Sequence, residues 1–479
     1  MKFPLAPRPF TGRVALTDQQ CAHYERLAED LVAATLLEMN QFTETNNRVM
    51  DKSAWKPIKS RENLTVYKQT NARDKSSTWR MPKLVAVGTV AGTLEDMMYG
   101  IVTPDAQAIR VKTSYVQDEL LDGAVLYEIQ TPTTDDPFRI VSLKWIAMGH
   151  PLVVSAVVRP RDFVFVESTG IRVLPDGTRV GFHAIHSVEL PRCAELSDLG
   201  IVRARLSNCY LYRQKQSGIV EVYMTTYSDP GGNPPEKIAT MSAANTLIGI
   251  WKAMWCAQNK KLTWLVTNNY VKQRMRSSSQ AALLRRGEVI DRCACVICRK
   301  TLSARRSVVA CQLCSAWACS RCRVKRTLSA ATVKLQLLQR DADVCKRCIT
   351  YVANYDPVRI ARAQYVAPMA TRVADENKTG AARADERKPD TREDDNDDGV
   401  PECFREGSDE PDTVVAETVE EWGRSNRQLR GMTVDLEDGE EVESVDDMLA
   451  NLMQSLGGRL LSPSEAQRKV MLYSGSVDF

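Results

Sequence analysis

Apolar and polar residues repeat at two different periods along the first half of the chain. A helical period comes first: Thr17 and Gln20 have the spacing of a capping box, and apolar residues three and four apart then run to about Asn40. Short runs rich in β-branched and aromatic residues follow, separated by turn residues such as Pro175-Asp176-Gly177. The predicted strands are Leu64–Lys68, Leu84–Val90, Ala124–Ile129, Arg139–Ile146, Pro151–Val158, Phe163–Ser168, Thr178–Ser187, Ile201–Arg213 and Gly218–Thr226, with a short helix near Thr93–Gly100.

Successive short strands joined by hairpin turns indicate a curved antiparallel sheet rather than βαβ units. A cluster of breaking residues, Asp229–Pro235, ends the strand-rich region, and we predict a long helix from Lys237 to Leu265. Its apolar stripe consists of Ile238, Met241, Ala244, Ile248, Trp251 and Trp255. The stripe either packs on the sheet, as most amphipathic helices do, or closes a ligand site together with it. The fold class is therefore α+β.

Several motifs occur in the order found in the START (StAR-related lipid transfer) family. They are Trp55, Tyr67, the strand Arg161-Asp162-Phe163-Val164, His186-Ser187-Val188, the turn Asp229-Pro230-Gly231-Gly232 and the closing helix. Residues 15–267 thus resemble a START domain. The resemblance implies a helix-grip fold, in which the long C-terminal helix lies across the sheet and closes a tunnel that holds one lipid or sterol.

The same resemblance implies which residues contact that ligand. They are Arg161, Asp162, Ile248, Trp251 and Trp255. Arg161 and Asp162 form either a buried ion pair at the tunnel or a charge pair that faces solvent at the edge of the sheet.

Eight cysteines between Cys295 and Cys348 form four C-x2-C pairs. The pairs are Cys295/Cys298, Cys311/Cys314, Cys319/Cys322 and Cys345/Cys348, separated by 12, 4 and 22 residues. Two such pairs supply the four thiolates of one closed tetrahedral zinc site, so eight cysteines predict two Zn²⁺ ions. The short spacer between the second and third pairs favours a cross-brace, with the first and third pairs on one ion and the second and fourth on the other.

Two further observations limit the chemistry of these cysteines. All four histidines precede them, so both predicted sites consist of cysteine alone. Disulfides are the alternative, but they belong to exported proteins, and Met1–Phe10 has no apolar signal segment. The sequence therefore favours a metal-binding finger in a reducing, cytoplasmic compartment.

The ladder of cysteine spacings resembles the FYVE family of zinc fingers over residues 290–352. That family recognises phosphatidylinositol 3-phosphate on endosomal membranes, so the resemblance implies a finger that binds a membrane peripherally. The sequence departs from the family in its inositide-binding core. The segments that differ are Val289-Ile290-Asp291-Arg292, Arg305–Ser315, which has neither of the family's histidines, and Asp343-Val344-Cys345.

Charge is distributed unevenly behind a formal net charge of +4. Val271–Tyr351 holds 18 Lys and Arg against 4 Asp and Glu, whereas Asp385–Asp447 holds 24 acidic and 7 basic residues. The basic linker 268–289 and the finger are expected to attract anionic lipid headgroups. Nucleic acid is not favoured, because the block lacks a helix that could read a DNA groove.

Residues 353–479 have the composition of a disordered tail, interrupted by a short amphipathic helix over 444–456 that could dock on a protein partner.

These patterns together predict a non-enzymatic lipid-binding protein: a START-like domain followed by a two-zinc finger for membrane or partner binding. No catalytic residue is predicted, because no Ser/His/Asp or Cys/His set can be placed on an identified scaffold. The alternative is an interaction scaffold or a RING-like ubiquitin ligase that uses the cross-brace for protein contacts, although the histidine usual in RING fingers is absent. Hydrolysis of acyl thioesters would need an acid or base in the tunnel that the sequence does not identify.

Overall fold

The computed structural model describes residues 5, 9–10, 14–70, 78–149, 158–216, 218–268, 294–302, 308–332 and 334–366. Almost all of the predicted strand Pro151–Val158 and of the basic linker lies outside these residues, and so does the acidic tail beyond residue 366 with its helix 444–456. Within the described ranges, no helix is both long enough and apolar enough to span a membrane.

The described strands of the N-terminal region pair into one sheet. They are β1 Trp55–Arg61, β2 Leu64–Gln69, β3 Leu84–Ala91, β4 Leu120–Gln130, β5 Ile140–Met148, β6 Arg161–Val173, β7 Arg179–Ser187, β8 Val202–Arg203, β9 Arg205–Gln216 and β10 Ile219–Asp229. Their order is β1-β2-β3-β10-β9-β7-β6-β5-β4, all antiparallel, and β8 adds a short parallel pairing to β6. The predicted antiparallel sheet is confirmed. The strand predicted over Ile201–Arg213 is two strands, and β1 was not predicted because Trp55–Arg61 is mostly polar.

The first helix, α1, spans Asp18–Asn40 and confirms the predicted capping box. The Gln20 N–H donates to Thr17 Oγ1 at 3.2 Å, and the Thr17 N–H donates to Gln20 Oε1 at 2.9 Å. The short predicted helix is α2, Leu94–Ile101, and α3, Ala106–Val116, was not predicted. Each begins after a side-chain cap, Thr93 for α2 and Asp105 for α3.

The long helix predicted over Lys237–Leu265 is interrupted. It consists of α4, Glu236–Ile248, a 3₁₀ turn, Gly249–Trp251, and α5, Lys252–Thr267. The interruption falls at Gly249, and glycine lowers helix stability by about 1 kcal/mol relative to alanine. The C-terminal helical region is therefore two segments that can pack on different neighbours.

Each face of the sheet is covered by different helices. On the outer face, α1 packs through Val32, Leu36 and Met39 on residues of β3, β7, β9 and β10. The opposite, inner face can be followed strand by strand, because paired residues point to the same side. One row of paired residues runs through Val66, Ala86, Met224, Tyr210, His183 and Thr169, and the next through Leu64, Gly88, Val222, Tyr212 and Gly181.

Helices α2 and α4 lie over this inner face. Helix α4 packs on β1, β2, β3 and β10, and α2 packs on β7 and β9. The contact of α2 is close: a Cβ at Gly181 would lie 2.7 Å from Met98 Sδ and 2.8 Å from Leu94 Cδ1. Helix α5 packs in turn on α2, where a Cβ at Gly100 would lie 2.0 Å from the Ala253 carbonyl oxygen. Glycine is therefore needed for both approaches.

The cysteine-rich region forms a small finger. Its elements are β11 Val308–Ala310, β12 Trp317–Cys319, a 3₁₀ turn Ser320–Cys322, β13 Arg323–Ala331, β14 Leu337–Cys345 and α6 Lys346–Ala353. Helix α7, Pro357–Ala361, and a π-helical turn, Arg362–Val366, follow the finger. Both lie within residues 353–479, for which a disordered tail was predicted, and they are ordered because Ile360, Ala361 and Tyr365 are buried. β13 and β14 pair as a hairpin and pack on α3 and α5. The finger therefore lies directly against the helices of the sheet domain.

Candidate ligand-binding face and metal centres

Three ionisable side chains meet in the buried centre of the inner face. Glu167 on β6 accepts a hydrogen bond from the Lys144 ammonium group of β5, and His183 Nε2 of β7 lies 2.8 Å from Glu167 Oε1. Lys144 Nζ also donates to the Thr103 carbonyl at 2.6 Å, in the connection between α2 and α3. We call Lys144, Glu167 and His183 the polar trio. It ties the sheet to the segment that covers it.

The environment of the trio fixes its charges near neutral pH. Burial alone would raise the pKa of Glu167, but the Lys144 ammonium and the His183 hydrogen bond hold that pKa well below its ordinary value. Burial also lowers the pKa of His183, against the opposing effect of Glu167. His183 is therefore neutral, and because a carboxylate only accepts hydrogen bonds, the proton of its ring is on Nε2. The trio thus combines one cation, one anion and one neutral imidazole.

Several polar atoms on or above the inner face have no hydrogen-bond partner among the described residues. Three of these atoms belong to strands: Ser142 Oγ on β5, Tyr212 OH on β9 and His183 Nδ1 on β7. Ser142 is paired with Glu167 in the strand register, and Nδ1 is the ring nitrogen of His183 that does not contact Glu167. Thr240 Oγ1 belongs to the buried side of α4. Ser142 and Tyr212 are fully buried, with 0% of each residue exposed. Since buried polar groups are nearly always hydrogen-bonded to protein or to ordered water, these atoms need partners that the described residues do not supply.

The trio was not predicted from the sequence. Its signal was present: Lys144 and Glu167 are charges that interrupt largely apolar runs in the predicted strands Arg139–Ile146 and Phe163–Ser168. A charge at such a position cannot be recognised as paired until the strand register is known, because a shift by one residue moves it to the other face.

The structure gives Arg161 and Asp162 separate partners. Asp162 is fully buried and accepts hydrogen bonds from Trp145 Nε1 at 2.9 Å and from Arg203 Nη2 at 2.9 Å. The Arg161 guanidinium donates to the carbonyls of Arg159 and Pro230 at 2.6 and 3.2 Å. Arg161 and Asp162 point to opposite faces of the sheet, because neighbouring residues of a strand do so. Trp145 belongs to the hydrophobic core on the outer face, so its partner Asp162 lies on that face as well. The ion pair of Asp162 is therefore with Arg203, and a role in ligand binding remains a prediction.

The three predicted residues of the closing helix occupy different environments. Ile248 is buried at the end of α4, on the same side of that helix as the buried residues Ala244 and Thr240. Trp251 is half-buried in the 3₁₀ turn, and its ring lies 4.1 Å from the Arg61 guanidinium carbon. Trp255 faces the finger, where Arg326 of β13 stacks on its ring at 4.8 Å. The helix interruption thus separates residues that one continuous helix would have aligned, and ligand contact by all three remains a prediction.

The eight cysteines form the two groups that the cross-brace predicts. The first group is Cys295, Cys298, Cys319 and Cys322, and the second is Cys311, Cys314, Cys345 and Cys348. In each group the sulfur atoms all lie within 4.8 Å of one another. The pairing of the first with the third and of the second with the fourth C-x2-C pair is therefore confirmed.

The donor geometry fits zinc. Two sulfurs bound to one tetrahedral Zn²⁺ at about 2.3 Å would be about 3.8 Å apart. The distances between Cys298 and Cys319 Sγ and between Cys314 and Cys345 Sγ are both 3.9 Å. Against the effect of burial, backbone N–H groups of Cys319, Cys298 and Ile297 lower the pKa of the Cys295 thiol to about 6. Both groups are thus closed sets of four cysteine sulfur donors.

Comparison with known proteins gives structural likeness without a sequence match. Neither the known protein families nor the curated proteins contain a match to this chain. Human StAR-related lipid transfer protein 5 is 16% identical over 49% of this chain and 97% of its own, with a TM-score of 0.35. Human STARD10 is 13% identical over 59% and 93%, with a TM-score of 0.32. A STAR-related lipid transfer protein from Xanthomonas axonopodis is 19% identical over 42% and 96%, with a TM-score of 0.31.

Proposed function

We propose that this protein binds one lipid that carries a free hydroxyl group, such as a sterol, on the inner face of the sheet, beneath α4 and beside the contact of α2 with the sheet. The ligand would lie as in the helix-grip arrangement implied by the START-like motifs. The finger would hold two Zn²⁺ ions and contact anionic membranes. No catalytic step is part of the proposal.

The observation that carries this proposal is the set of polar atoms without a partner among the described residues, on a covered face whose β2, β3 and β10 side is largely apolar. The inner face presents apolar side chains on β2, β3 and β10: Leu64, Val66, Leu84, Ala86, Val222 and Met224. The trio, Ser142 and Tyr212 lie towards the other end of the same face. Apolar walls with a few fixed polar groups are the usual composition of a site for a small hydrophobic molecule.

The state of His183 indicates the class of head group. With the proton on Nε2, Nδ1 is a buried acceptor that needs an O–H or N–H donor. Lys144 already compensates Glu167, so the site has no spare charge for an anionic or cationic head group. A lipid hydroxyl can donate to His183 Nδ1 and accept from Tyr212 or Ser142. A phosphatidylcholine head group has no donor and carries two charges, so it fits less well.

Replacing Tyr212 by Phe tests this ligand site. The change removes one hydroxyl that has no partner among the residues that the structure describes, so the ligand-free protein should be as stable as the wild type or more stable. Affinity for a fluorescent sterol with a free hydroxyl, such as dehydroergosterol, should fall roughly fivefold, which corresponds to one lost hydrogen bond of about 1 kcal/mol. The matched control is Tyr223→Phe on the outer face, where the Tyr223 hydroxyl lies 3.4 Å from Glu38 Oε2 and sterol affinity should not change.

Two results would contradict the proposal. If the wild type takes up no sterol, ceramide or diacylglycerol under conditions in which it is folded, the inner face is an ordinary core. If Tyr212→Phe and Tyr223→Phe have the same effect on uptake, the polar atoms of the inner face do not contact the ligand.

The metal part of the proposal assigns the two cysteine groups to one Zn²⁺ each. A closed set of four thiolates supplies folding free energy rather than reactivity. We therefore expect two zinc ions per chain by elemental analysis. Cys319→Ser should release the ion of the first group and retain that of the second. A measured stoichiometry of one zinc in the wild type would contradict the assignment.

The membrane part of the proposal is supported by the β13–β14 hairpin. Leu337 and Leu338 are 40% and 56% exposed at its end, near the basic residues Lys334 and Arg340. Exposed apolar side chains beside cations suit the surface of an anionic bilayer. Leu338→Asp should weaken sedimentation with vesicles of phosphatidylcholine and phosphatidylserine, whereas Leu199→Asp, at a residue 41% exposed on the sheet domain, should not. Equal sedimentation of the two variants would contradict a contact between the hairpin and the membrane.

A further inference from the structure

The second cysteine group shares its core with helix α5 of the sheet domain. Leu262, Leu265 and Val266 of α5 are buried in one cluster with finger residues. The buried finger residues of this cluster include Cys311, Cys345, Cys348, Leu313, Leu328 and Val344. Three of the four cysteines of the second group thus lie in the core that anchors α5. The cysteines of the first group are not members of this core in the part of the chain that the structure describes.

A buried lysine joins the finger to the covering helices. Lys261 of α5 has none of its surface exposed, and its Nζ donates to the carbonyls of Ala353 and Tyr355 at 2.8 and 3.1 Å. Ala353 ends α6, the helix that begins directly after Cys345 and contains Cys348. On its other side Lys261 Nζ lies 2.8 Å from the Asp96 carboxylate of α2. One cation thus bridges the end of a finger helix and α2.

The residues that follow the finger also pack on α2. Gln364 accepts a hydrogen bond of 2.7 Å from the Tyr99 hydroxyl, and the rings of Tyr99 and Tyr365 are 6.2 Å apart. Lys260, next to Lys261, donates to the Tyr99 carbonyl at 2.6 Å. From α2 the contacts continue to the inner face, because Met98 and Leu94 lie against Gly181, two residues from His183. The second cysteine group is therefore connected to the ligand-covering helix by contiguous packing.

We propose that the metal ion of the second cysteine group controls how firmly α2, which α5 holds in place, covers the inner face, and hence how fast the ligand leaves. This inference rests on the proposed ligand site and adds a regulator to it. With the ion bound, the finger core holds Leu262 and Leu265, and the end of α6 is fixed beside Lys261. Without the ion, the finger core loses the cross-link between its second and fourth cysteine pairs, and α5 and α2 lose the surface on which they pack. The first group should have a smaller effect.

The experiment uses the full-length chain and compares Cys314→Ser in the second group with Cys319→Ser in the first. Both residues are half-buried, so the two substitutions are matched in exposure. The first readout is hydrogen exchange of the ligand-free protein. In Cys314→Ser, and in the wild type after addition of a zinc chelator, peptides from Leu94–Ile101 and Lys252–Thr267 should exchange faster, while peptides from the outer core of β5 and β6 should not.

The second readout is the dissociation rate of preloaded dehydroergosterol. Coupling between two sites typically amounts to a factor of 5–150, so release should be about fivefold faster or more in Cys314→Ser and less affected in Cys319→Ser. Linkage between binding free energies is reciprocal, so bound sterol should raise the affinity of the second group for zinc, measured at equilibrium by competition with a chelator.

The outcomes separate this inference from the proposed function. If no sterol binds, the proposed ligand site fails, while the exchange experiment still tests the connection between the metal site and α2. If sterol binds but its release and the exchange of α2 are unchanged by Cys314→Ser, the coupling is overturned and the ligand site stands. If Cys319→Ser has the larger effect on both readouts, the second group is not the regulator.

Discussion

Replacing Glu167 by Gln probes the polar trio. The substitution keeps the shape of the side chain and removes its negative charge. Lys144, of which only 1% is exposed, would then retain the Thr103 carbonyl and hydroxyl as partners but lose its counter-charge. His183 would keep a hydrogen-bond partner, because an amide oxygen also accepts. The perturbation therefore isolates the uncompensated charge of Lys144.

The expected loss of stability is large. Two unit charges 4 Å apart attract by about 4 kcal/mol at an effective dielectric constant of 20, and removing one partner of a buried pair typically costs about 3–5 kcal/mol. Glu167→Gln should therefore destabilise the protein by about 3–5 kcal/mol. The double variant Lys144→Met with Glu167→Gln should recover most of this loss, because it leaves no unpaired charge in the core.

Urea unfolding followed by tryptophan fluorescence measures these differences, and its pH dependence gives a second test. Folding lowers the pKa of His183 below its ordinary 6.5 and that of Glu167 below its ordinary 4.5. Both groups therefore bind protons more weakly in the folded state, so their contributions are present at neutral pH and are lost as pH falls. Wild-type stability should decrease from about pH 6.5 downwards, and the part of the decrease below about pH 4.5 should be smaller in Glu167→Gln.

A loss of less than about 1 kcal/mol in Glu167→Gln would refute this reasoning, because exposed ion pairs contribute that little. A double variant that is no more stable than the single one would refute it as well. Either result would mean that Lys144 reaches water or another anion in solution.

The remaining predictions concern packing. Gly88→Ala should prevent the native pairing of β2 with β3. The added Cβ would lie 1.9 Å from the Asn63 carbonyl oxygen, and the φ of this residue is +151°. Circular dichroism should show a lower melting temperature or little folded protein. Lys261→Met should leave the Asp96 carboxylate buried without its cation and cost about 3–5 kcal/mol, and adding Asp96→Asn should restore much of that stability in urea unfolding. An Arg326→Ala variant should lose only about 1 kcal/mol, the usual size of a cation–π contact such as that with Trp255, and a larger loss would mean that the hairpin depends on this stack.

Local signals in the sequence were sufficient for several features. The capping box at Thr17 and Gln20 fixes the start of α1, because both of its hydrogen bonds are made within four residues. The C-x2-C spacing predicted not only metal-binding cysteines but also which pairs combine, because the short spacer between Cys314 and Cys319 disfavours sequential use of the pairs. In both cases the interacting groups are close along the chain or constrained by tight turns.

The features that the sequence did not reveal depend on contacts between distant segments. Lys144, Glu167 and His183 come together only through the register of three strands. Lys260 and Lys261 look like a solvent-exposed pair in the sequence, yet both are buried. Lys260 lies against Tyr99 of α2, and Lys261 lies between Asp96 of α2 and the end of α6. The break at Gly249 was hidden by a stripe whose spacing continues across it, although Trp251 and Trp255 contact different neighbours. Register and docking are tertiary properties that periodicity does not encode.

Native mass spectrometry of the full-length protein, purified gently from cells and loaded with two zinc ions, tests directly whether the inner face binds a lipid. We predict one bound lipid per chain, identified after extraction as a molecule with a free hydroxyl, and a smaller lipid-bound fraction in Tyr212→Phe than in Tyr223→Phe. A wild-type protein that is folded and zinc-loaded but carries no lipid, and that takes up none when incubated with dehydroergosterol, would contradict this prediction.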